Sequence, residues 1–260
     1  MQIRQIAAKI SANTAVRQHC YKLALEAPTI AQAACPGNFL MVKISGATDP
    51  LLRRPLSIHR ADASSGIVEL LYEVVGTGTS ILSQKKTGER VNVIGPLGNG
   101  FSFGSDMRRR QAVIVAGGMG AAPLLFLAQN IKAGGITILI GARAKSQLLC
   151  VPDFRKLGCR VRVATDDGSY GFRGRVTGLL EQMLVGKPQA NPVLYGCGPK
   201  PMLRAMAGLC SKYGLDAQVS LEAHMACGIG ACLGCVVQTK QGFSRVCKEG
   251  PVFKISDLVW

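Results

Sequence analysis

The chain has 260 residues, of which 48% are hydrophobic and 5% aromatic, and its formal net charge is +16. This hydrophobic content excludes a disordered chain. The sequence has no apolar run of the length that a membrane span needs, and its N-terminus lacks the apolar core of a signal peptide. The basic residues are dispersed, with their densest run at Met107–Arg110, and no nucleic-acid-binding motif accompanies them. We therefore expect a cytoplasmic protein without a nucleic-acid partner.

Residues 1–105 alternate short apolar stretches with Gly, Pro and Asp, which is typical of antiparallel β structure. The predicted strands are 21–25, 39–44, 67–75 and 90–94. One short helix is predicted at 80–85, after a glycine-rich turn. This first part of the chain is expected to close into a β-barrel.

Residues 106–221 change to continuous apolar strands that alternate with helices. The predicted strands are 111–116, 136–141, 160–164, 192–195 and 217–221, and the predicted helices are 121–132, 175–185 and 200–213. This alternation indicates a doubly wound parallel sheet. The fold class is thus multidomain, α+β and α/β: an antiparallel barrel, a parallel-sheet domain, and a small C-terminal module at 222–260.

The C-terminal module contains a cluster of cysteines, Cys227, Cys232, Cys235 and Cys247. Their C-x4-C-x2-C…C order is that of plant-type [2Fe–2S] loops, in which four thiolates hold two irons. The intervening glycines, Gly228, Gly230 and Gly234, suit a loop that turns its amides inward. A structural zinc site is the alternative, although zinc sites more often show two separated C-x2-C pairs. A hairpin of 236–239 and 243–246, with its turn at Gln241-Gly242, is predicted within this module.

Two short motifs in the first part of the chain are candidates for phosphate binding. Arg54-Pro55-Leu56-Ser57 supplies an arginine that can pair with phosphate and a hydroxyl that can hydrogen-bond, although an ordinary basic turn would look the same. Residues 76–79, Gly-Thr-Gly-Thr, open the short predicted helix, whose N-terminal amides would suit a pyrophosphate. The alternative for the second motif is a glycine turn in which Thr79 caps the helix.

A glycine-rich loop, Gly117-Gly118-Met119-Gly120, lies between a buried strand and a helix. This context predicts a dinucleotide site, and the absence of a following Lys-Ser/Thr excludes a P-loop. Tight packing of the strand against the helix is the alternative.

Two further motifs end parallel strands, where ligands bind in open α/β sheets. Cys197-Gly198 ends the fourth strand and could approach a nicotinamide ring, although a buried structural thiol is the alternative. Asp166-Asp167 ends the third strand, where a carboxylate could accept from ribose hydroxyls and favour NAD over NADP; a capping turn is equally compatible.

Taken in order, RPLS, GTGT, GGMGAAP and GCGP resemble the ferredoxin–NADP reductase superfamily over nearly the whole chain. The added CGIGACLGC…C is similar to one branch, the electron-transfer subunits of type 1B dihydroorotate dehydrogenases. The small subunit of NADH-dependent ferredoxin–NADP oxidoreductase shares the architecture, but its first cluster ligand is typically aspartate, where this chain has Cys227.

The resemblance implies three cofactors: FAD, a [2Fe–2S] cluster and NAD as electron acceptor. It implies that FAD contacts Arg54, Pro55, Leu56, Ser57, Leu71, Tyr72, Glu73, Gly78 and Thr79. NAD would contact Gly117, Gly118, Gly120, Asp166, Cys197 and Gly198, and the four cysteines would hold the cluster. No catalytic acid or base is predicted.

The resemblance also implies a partner, an FMN-containing dihydroorotate dehydrogenase catalytic subunit, in a heterotetramer of two copies of each chain. The expected function is electron transfer from that subunit through the cluster and FAD to NAD, in pyrimidine biosynthesis. One alternative is an NAD(P)H-dependent reductase that serves ferredoxin or sulfur acceptors. A metal-bearing regulatory module that senses NADH is the non-enzymatic alternative.

Overall fold

The structure is a computed structural model that describes residues 2–46, 48–104, 107–108, 110–185 and 192–260. The chain forms two compact units. The first comprises the chain as far as Gly100, together with Ala223–Val237 and Ser244–Pro251, and the second comprises Phe101–Glu222, Gln238–Phe243 and Val252–Trp260. The predicted boundary at residues 105 and 106, and Arg109 of the basic run, lie outside the described residues. The division into three domains stays a prediction.

The first unit contains a closed barrel in which the strands follow the order β1-β2-β5-β4-β3-β6. The strands are β1 (Arg4–Arg17), β2 (Cys20–Glu26), β3 (Phe39–Val42), β4 (Arg54–Asp62), β5 (Ile67–Glu73) and β6 (Arg90–Leu97). Two helices accompany them, α1 (Pro28–Ala33) and α2 (Thr77–Gln84). Neighbouring strands pair antiparallel, so the predicted barrel is confirmed.

The barrel core comes from the inward-facing positions of these strands. All four residues of β3 are buried, and buried residues alternate with less buried ones along the first part of β6. Ile10, Leu23, Leu40 and Leu70 are fully buried among them. This alternation is expected for strands with one face on a core.

The second unit contains a seven-stranded sheet with the order β10-β9-β8-β7-β11-β12-β15. Its strands are β7 (Gln111–Gly117), β8 (Gly135–Ala142), β9 (Arg160–Thr165), β10 (Phe172–Arg173), β11 (Val193–Cys197), β12 (Ala217–Ser220) and β15 (Val252–Lys254). Its helices are α3 (Ala121–Asn130), α4 (Val151–Lys156), α5 (Val176–Val185) and α6 (Lys200–Tyr213). The pairs from β10 to β12 are parallel, so the predicted α/β fold is confirmed.

The strand order reverses between β7 and β11, which is where open α/β sheets bind ligands at the carboxyl ends of their strands. The last strand, β15, pairs antiparallel with β12 and was not predicted. A separate hairpin consists of β13 (Val236–Thr239) and β14 (Gly242–Arg245). Its turn is Lys240-Gln241, one residue earlier than predicted, because Gly242 already begins the second strand.

None of the helices in the described part of the chain has both the length and the apolar character that crossing a membrane requires.

Candidate functional site

The four C-terminal cysteines approach one another as two pairs, and both pairs belong to the first unit. The backbone amide of Cys232 donates to Sγ of Cys227 at 3.5 Å. The amide of Cys247 donates to Sγ of Cys235 at 3.4 Å. The Cys227 thiol interacts with Cys232 and the Cys247 thiol with Cys235, and Cys247 also interacts electrostatically with Cys227.

The loop that carries the first three cysteines takes several left-handed backbone conformations. Gly228 has φ 71° and Gly230 has φ 86°, as expected for a loop that turns its amides inward. Gly234 was expected to do the same, but the left-handed residue there is Leu233, with φ 57°. Leu233 is 59% exposed and Ile229 is 48% exposed. The loop therefore presents apolar side chains outward while its amides turn toward sulfur.

The electrostatics of the thiols differ between the two pairs. Burial raises the pKa of Cys227, but hydrogen bonds from the amides of Cys232, Ile229 and Ala231 outweigh it and hold that pKa at about 6. Burial, followed by the Cys235 thiol, raises the pKa of Cys247 to about 12. Amides aimed at a sulfur favour its thiolate form, which is the form that binds metal.

These residues fit a binuclear iron–sulfur centre. Within the described residues, no three His, Cys, Asp or Glu side chains converge closely enough to hold a single metal ion. A [2Fe–2S] centre instead spreads four thiolates over two irons. Two close pairs of thiols are compatible with one pair for each iron.

The cluster loop packs directly on the barrel strand β3. A Cβ atom at Gly228 would lie 2.7 Å from Sδ of Met41, so the loop backbone rests on this methionine. Met41 is fully buried and its cross-strand partner in β4 is Pro55, the second residue of the RPLS motif. The cluster loop therefore contacts the strand that pairs with the one expected to bind FAD.

The RPLS motif opens β4, a strand that the sequence analysis did not predict, and its arginine reaches helix α2. A Cβ at Gly78 would lie 2.8 Å from Nε and 2.9 Å from Nη2 of Arg54, so the guanidinium lies against the first turn of the helix. Thr79 accepts from the amide of Val75 at 3.0 Å and donates to the carbonyl of Gly76, which fixes that turn. An arginine beside helix amides is a suitable seat for pyrophosphate.

The predicted β5 residues use their side chains elsewhere. Tyr72 is buried and donates to Oδ1 of Asn13 at 3.2 Å, and burial raises its pKa. Glu73 pairs with Arg17, with 3.1 Å between Oε1 and Nη2. Leu71 is buried in the barrel wall. The predicted contacts of these three residues with FAD stay a prediction.

Two glycine motifs meet at the β7/β11 reversal in the second unit. Gly120 lies so close to the end of β11 that a Cβ there would overlap the backbone carbonyl of Cys197 and lie 2.7 Å from the amide nitrogen of Gly198. Gly117 is packed under Met202 in the same way, at 2.6 Å from Sδ. Gly118 has φ 54° and no heavy atom within 4 Å of its Cβ position. Close packing therefore explains why positions 117 and 120 are glycines, whereas Gly118 faces open space.

Cys197 is almost fully enclosed at the carboxyl end of β11. Burial raises its pKa, and the charge of Glu222 raises it further, while a hydrogen bond with Ser220 opposes them. The thiol is therefore neutral at physiological pH, and its contact with a nicotinamide ring stays a prediction.

The two aspartates after β9 have different roles. The carboxylate of Asp167 accepts from the amide of Ser169 at 2.9 Å and from its hydroxyl at 2.7 Å, and these bonds lower the pKa of Asp167. Asp166 uses its amide to bond Ala142 at the end of β8, and its side chain is exposed. Asp167 therefore forms the capping turn, and the contact of Asp166 with a ribose stays a prediction.

Three residues of the first unit were missed by the sequence analysis. In the sequence, Met41 is indistinguishable from an ordinary core residue of a strand. Arg53 donates to the carbonyl of Asn92 at 3.0 Å and to its side chain at 2.6 Å, which anchors the start of RPLS. Arg245 donates to the carbonyl of Gly230 inside the cluster loop at 2.8 Å. The spacing of Arg245 and Glu249 on either side of Cys247 was the available signal.

Two family models match the chain. Residues 5–101 match "Oxidoreductase FAD-binding domain", and residues 222–259 match "Iron-sulfur cluster binding domain of dihydroorotate dehydrogenase B". The barrel is thus an FAD-binding domain, and the C-terminal segment is an iron–sulfur binding domain. These ranges contain the arginine seat and the four cysteines described above.

Curated relatives match over nearly their whole length. The "Dihydroorotate dehydrogenase B (NAD(+)), electron transfer subunit" of Desulforamulus reducens is 42% identical over 97% of both chains. The protein of the same name from Geobacillus thermodenitrificans is 39% identical over 94% of both. Among solved structures, the chain resembles one from the NADH-dependent reduced ferredoxin-NADP oxidoreductase, with TM-score 0.88, 28% identity, and coverage of 98% of this chain and 90% of that one. On the strength of its full-length relatives, the chain belongs to the family of electron transfer subunits of dihydroorotate dehydrogenase B.

Proposed function

We propose that this chain receives electrons from a dihydroorotate-oxidising subunit and passes them through a [2Fe–2S] cluster and FAD to NAD. The observation that carries the proposal is the contact between the cluster loop and the flavin-binding barrel. Gly228 rests on Met41, and Met41 is the cross-strand partner of Pro55 in the RPLS motif. A relay requires its two redox groups to be held close together, and this contact holds their two binding segments within one compact unit.

The bound cofactors supply the redox chemistry, one electron at a time at the cluster and a hydride at the flavin–nicotinamide step. The residues of the chain bind and orient them. Cys227, Cys232, Cys235 and Cys247 would ligate iron, Arg54 and the α2 amides would hold the FAD pyrophosphate, and the open side of Gly118 would admit the dinucleotide. No side-chain acid or base is needed.

We assign the preference for NAD to Asp166. Its exposed carboxylate follows β9, where it can accept from ribose hydroxyls and repel the 2′-phosphate of NADP. The variant Asp166→Ser should reduce the ratio of NADH to NADPH efficiency, measured as kcat/KM in a diaphorase assay. Asp167→Ser is the matched control, because the Asp167 carboxylate holds the turn to Ser169. It should lower the unfolding temperature and leave the ratio of NADH to NADPH efficiency unchanged. An unchanged ratio in Asp166→Ser would refute the assignment.

The partner that fits this role is an FMN-containing catalytic subunit, and we propose an assembly of two copies of each chain in the cytoplasm. Ile229 and Leu233 are exposed apolar residues beside the cluster cysteines, which supports docking of the partner next to the cluster. Size-exclusion chromatography with light scattering on the co-expressed pair would test the stoichiometry.

The decisive experiment is a coupled assay of dihydroorotate oxidation and NAD reduction with the co-expressed catalytic subunit. The variant Cys232→Ser should lose the cluster and the coupled activity while it keeps FAD and NADH diaphorase activity. Cys35→Ser is the control, since Cys35 is an exposed thiol of the same unit outside the cluster loop. If the coupled activity persists in a Cys232→Ser protein without iron, the proposed path is wrong.

The likeness to the ferredoxin-NADP oxidoreductase structure favours a second candidate, a reductase that serves ferredoxin. The same preparation separates the two functions. Reduction of ferredoxin by NADH without any dihydroorotate-coupled activity would replace the first proposal with the second.

A further inference from the structure

An arginine–glutamate pair lies beside the cluster loop and belongs to the same compact unit. Arg245 ends β14, two residues before Cys247, and Glu249 follows two residues after it. Nε of Arg245 donates to Oε2 of Glu249 at 3.0 Å, and its Nη2 donates to Oε1 of the same carboxylate. The contact is bidentate, which fixes the plane of the guanidinium.

The remaining nitrogen of this guanidinium reaches the cluster loop. Nη1 of Arg245 donates to the carbonyl of Gly230 at 2.8 Å, between the first and second cluster cysteines in sequence. Because Arg245 is held by Glu249 on one side and by Gly230 on the other, it fastens the loop of three cysteines to the segment that supplies the fourth. Arg245 also interacts electrostatically with Cys235 and Cys247.

Glu249 has a second role in the segment around Cys247. Its Oε2 accepts from the backbone amide of Arg245 at 2.7 Å. The amides of Lys248 and Glu249 donate to the carbonyl of Arg245 at 3.1 and 2.9 Å, which closes a turn around Cys247. The acidic side chain is therefore built into this turn, with the guanidinium between it and the cluster loop.

We propose that Arg245 is a positioning residue of the iron–sulfur centre that also raises its reduction potential, and that Glu249 limits this effect. The proposal rests on the cluster assignment made under the proposed function. A four-thiolate cluster becomes more negative when it takes up an electron, so a fixed positive charge held against the cluster loop by its bond to Gly230 favours the reduced form. The carboxylate partly cancels that charge and acts in the opposite direction.

The two residues therefore predict shifts of opposite sign. In Arg245→Gln the unpaired carboxylate remains, and the midpoint potential of the cluster should fall. In Glu249→Gln the unpaired guanidinium remains, and the potential should rise. We expect each variant to change the equilibrium constant for one-electron reduction by about tenfold, which corresponds to about 59 mV.

The test is a redox titration of the purified holoprotein, followed by the electron paramagnetic resonance signal of the reduced cluster. The potential of FAD in the same samples serves as an internal reference. Lys9→Gln is the matched control, because it also removes one positive charge from an ion pair of the first unit, that of Lys9 and Glu26 in the barrel, and it should leave the cluster potential unchanged. Arg245→Lys keeps the positive charge but loses the bidentate contact with Glu249. The cluster potential of this variant should stay near the wild-type value, while a chelator should remove iron from it faster.

Opposite shifts in Arg245→Gln and Glu249→Gln would support the proposal. Shifts of the same sign, or no shift with an intact signal, would overturn it. If Arg245→Gln does not retain iron, Glu249→Gln decides alone: a higher potential supports the charge effect, and an unchanged or lower one refutes it. A wild-type protein without a [2Fe–2S] signal would instead refute the cluster assignment itself, so the two failures are distinguishable.

Discussion

The substitution Gly78→Ala separates the stability of the barrel from its affinity for FAD. The new methyl group would meet Nε, Nη2 and Cζ of Arg54 at 2.8 to 3.0 Å, which is inside contact distance. These atoms are the far end of a flexible side chain, so the guanidinium can swing away without moving the backbone. The fold should therefore tolerate the change while Arg54 leaves its place at the start of α2.

The size of the loss follows from the bond that Arg54 would make. A hydrogen bond to a charged group contributes about 1.5 to 3 kcal/mol, and about 1.4 kcal/mol is tenfold in Kd. Losing the contact with pyrophosphate should thus weaken FAD binding by about 10- to 150-fold. Alanine is favoured over glycine in helices by up to about 1 kcal/mol, so the unfolding temperature of the flavin-free chain should not fall.

The assay is calorimetric titration of the flavin-stripped chain with FAD, combined with thermal unfolding of the same samples. Gly208→Ala is the matched control, because Gly208 lies within helix α6 and has no heavy atom within 4 Å of its Cβ position. It should gain stability and leave the Kd unchanged. In a double-mutant cycle, Gly78→Ala should add little to the loss caused by Arg54→Ala, since both remove one interaction. An unchanged Kd in Gly78→Ala, or additive losses in the double variant, would refute this account of the arginine seat.

Two further predictions concern the barrel. Met41→Ala should lower the free energy of unfolding by about 2 to 5 kcal/mol and slow electron transfer between cluster and flavin after flash photoreduction. Met41→Leu, which fills the same space, should largely restore both. An unchanged transfer rate in Met41→Ala with both cofactors bound would contradict the role of Met41. Hydrogen bonds from the hydroxyls of Ser64 and Ser65 hold the pKa of Asp62 at about 2. Because the pKa of Asp62 is lower in the folded chain than in the unfolded chain, where it is about 3.9, its ionised carboxylate stabilises the fold above about pH 4. This contribution is lost as the pH falls through about 2. The difference in unfolding temperature between wild type and Asp62→Asn should therefore be largest above pH 4 and narrow toward pH 2, and a constant difference would count against it.

The sequence predicted those elements whose hydrophobic pattern is strong. Strands β7 and β8 are continuous apolar runs bounded by glycine or polar residues, and both were found. Strand β4 was missed, because its first residues, Arg54 and Pro55, look like a turn when read along the chain. Only the pairing with β3 makes them a strand, and that pairing is a property of the barrel rather than of the segment.

The candidate site shows the same division between local pattern and tertiary contact. The four cysteines were predictable because ligand spacing is written in the sequence. The contact between Met41 and Gly228 was not, since it joins residues separated by most of the chain and involves one ordinary core side chain. Of the three glycines expected to be left-handed in the cluster loop, Gly228 and Gly230 are, but Leu233 takes that conformation in place of Gly234.

The C-terminal cluster segment is fastened to the barrel at both of its ends, and this explains why the two belong to one unit. At one end Gly228 rests on Met41. At the other, the amide of Asn99 donates to the carbonyl of Gly250 at 2.6 Å, and its side chain donates to the carbonyls of Lys248 and Glu249 at 3.3 and 3.0 Å. A segment held at a single point could pivot and change the spacing between cluster and flavin. Two fastenings remove that freedom, as a relay between fixed redox groups requires.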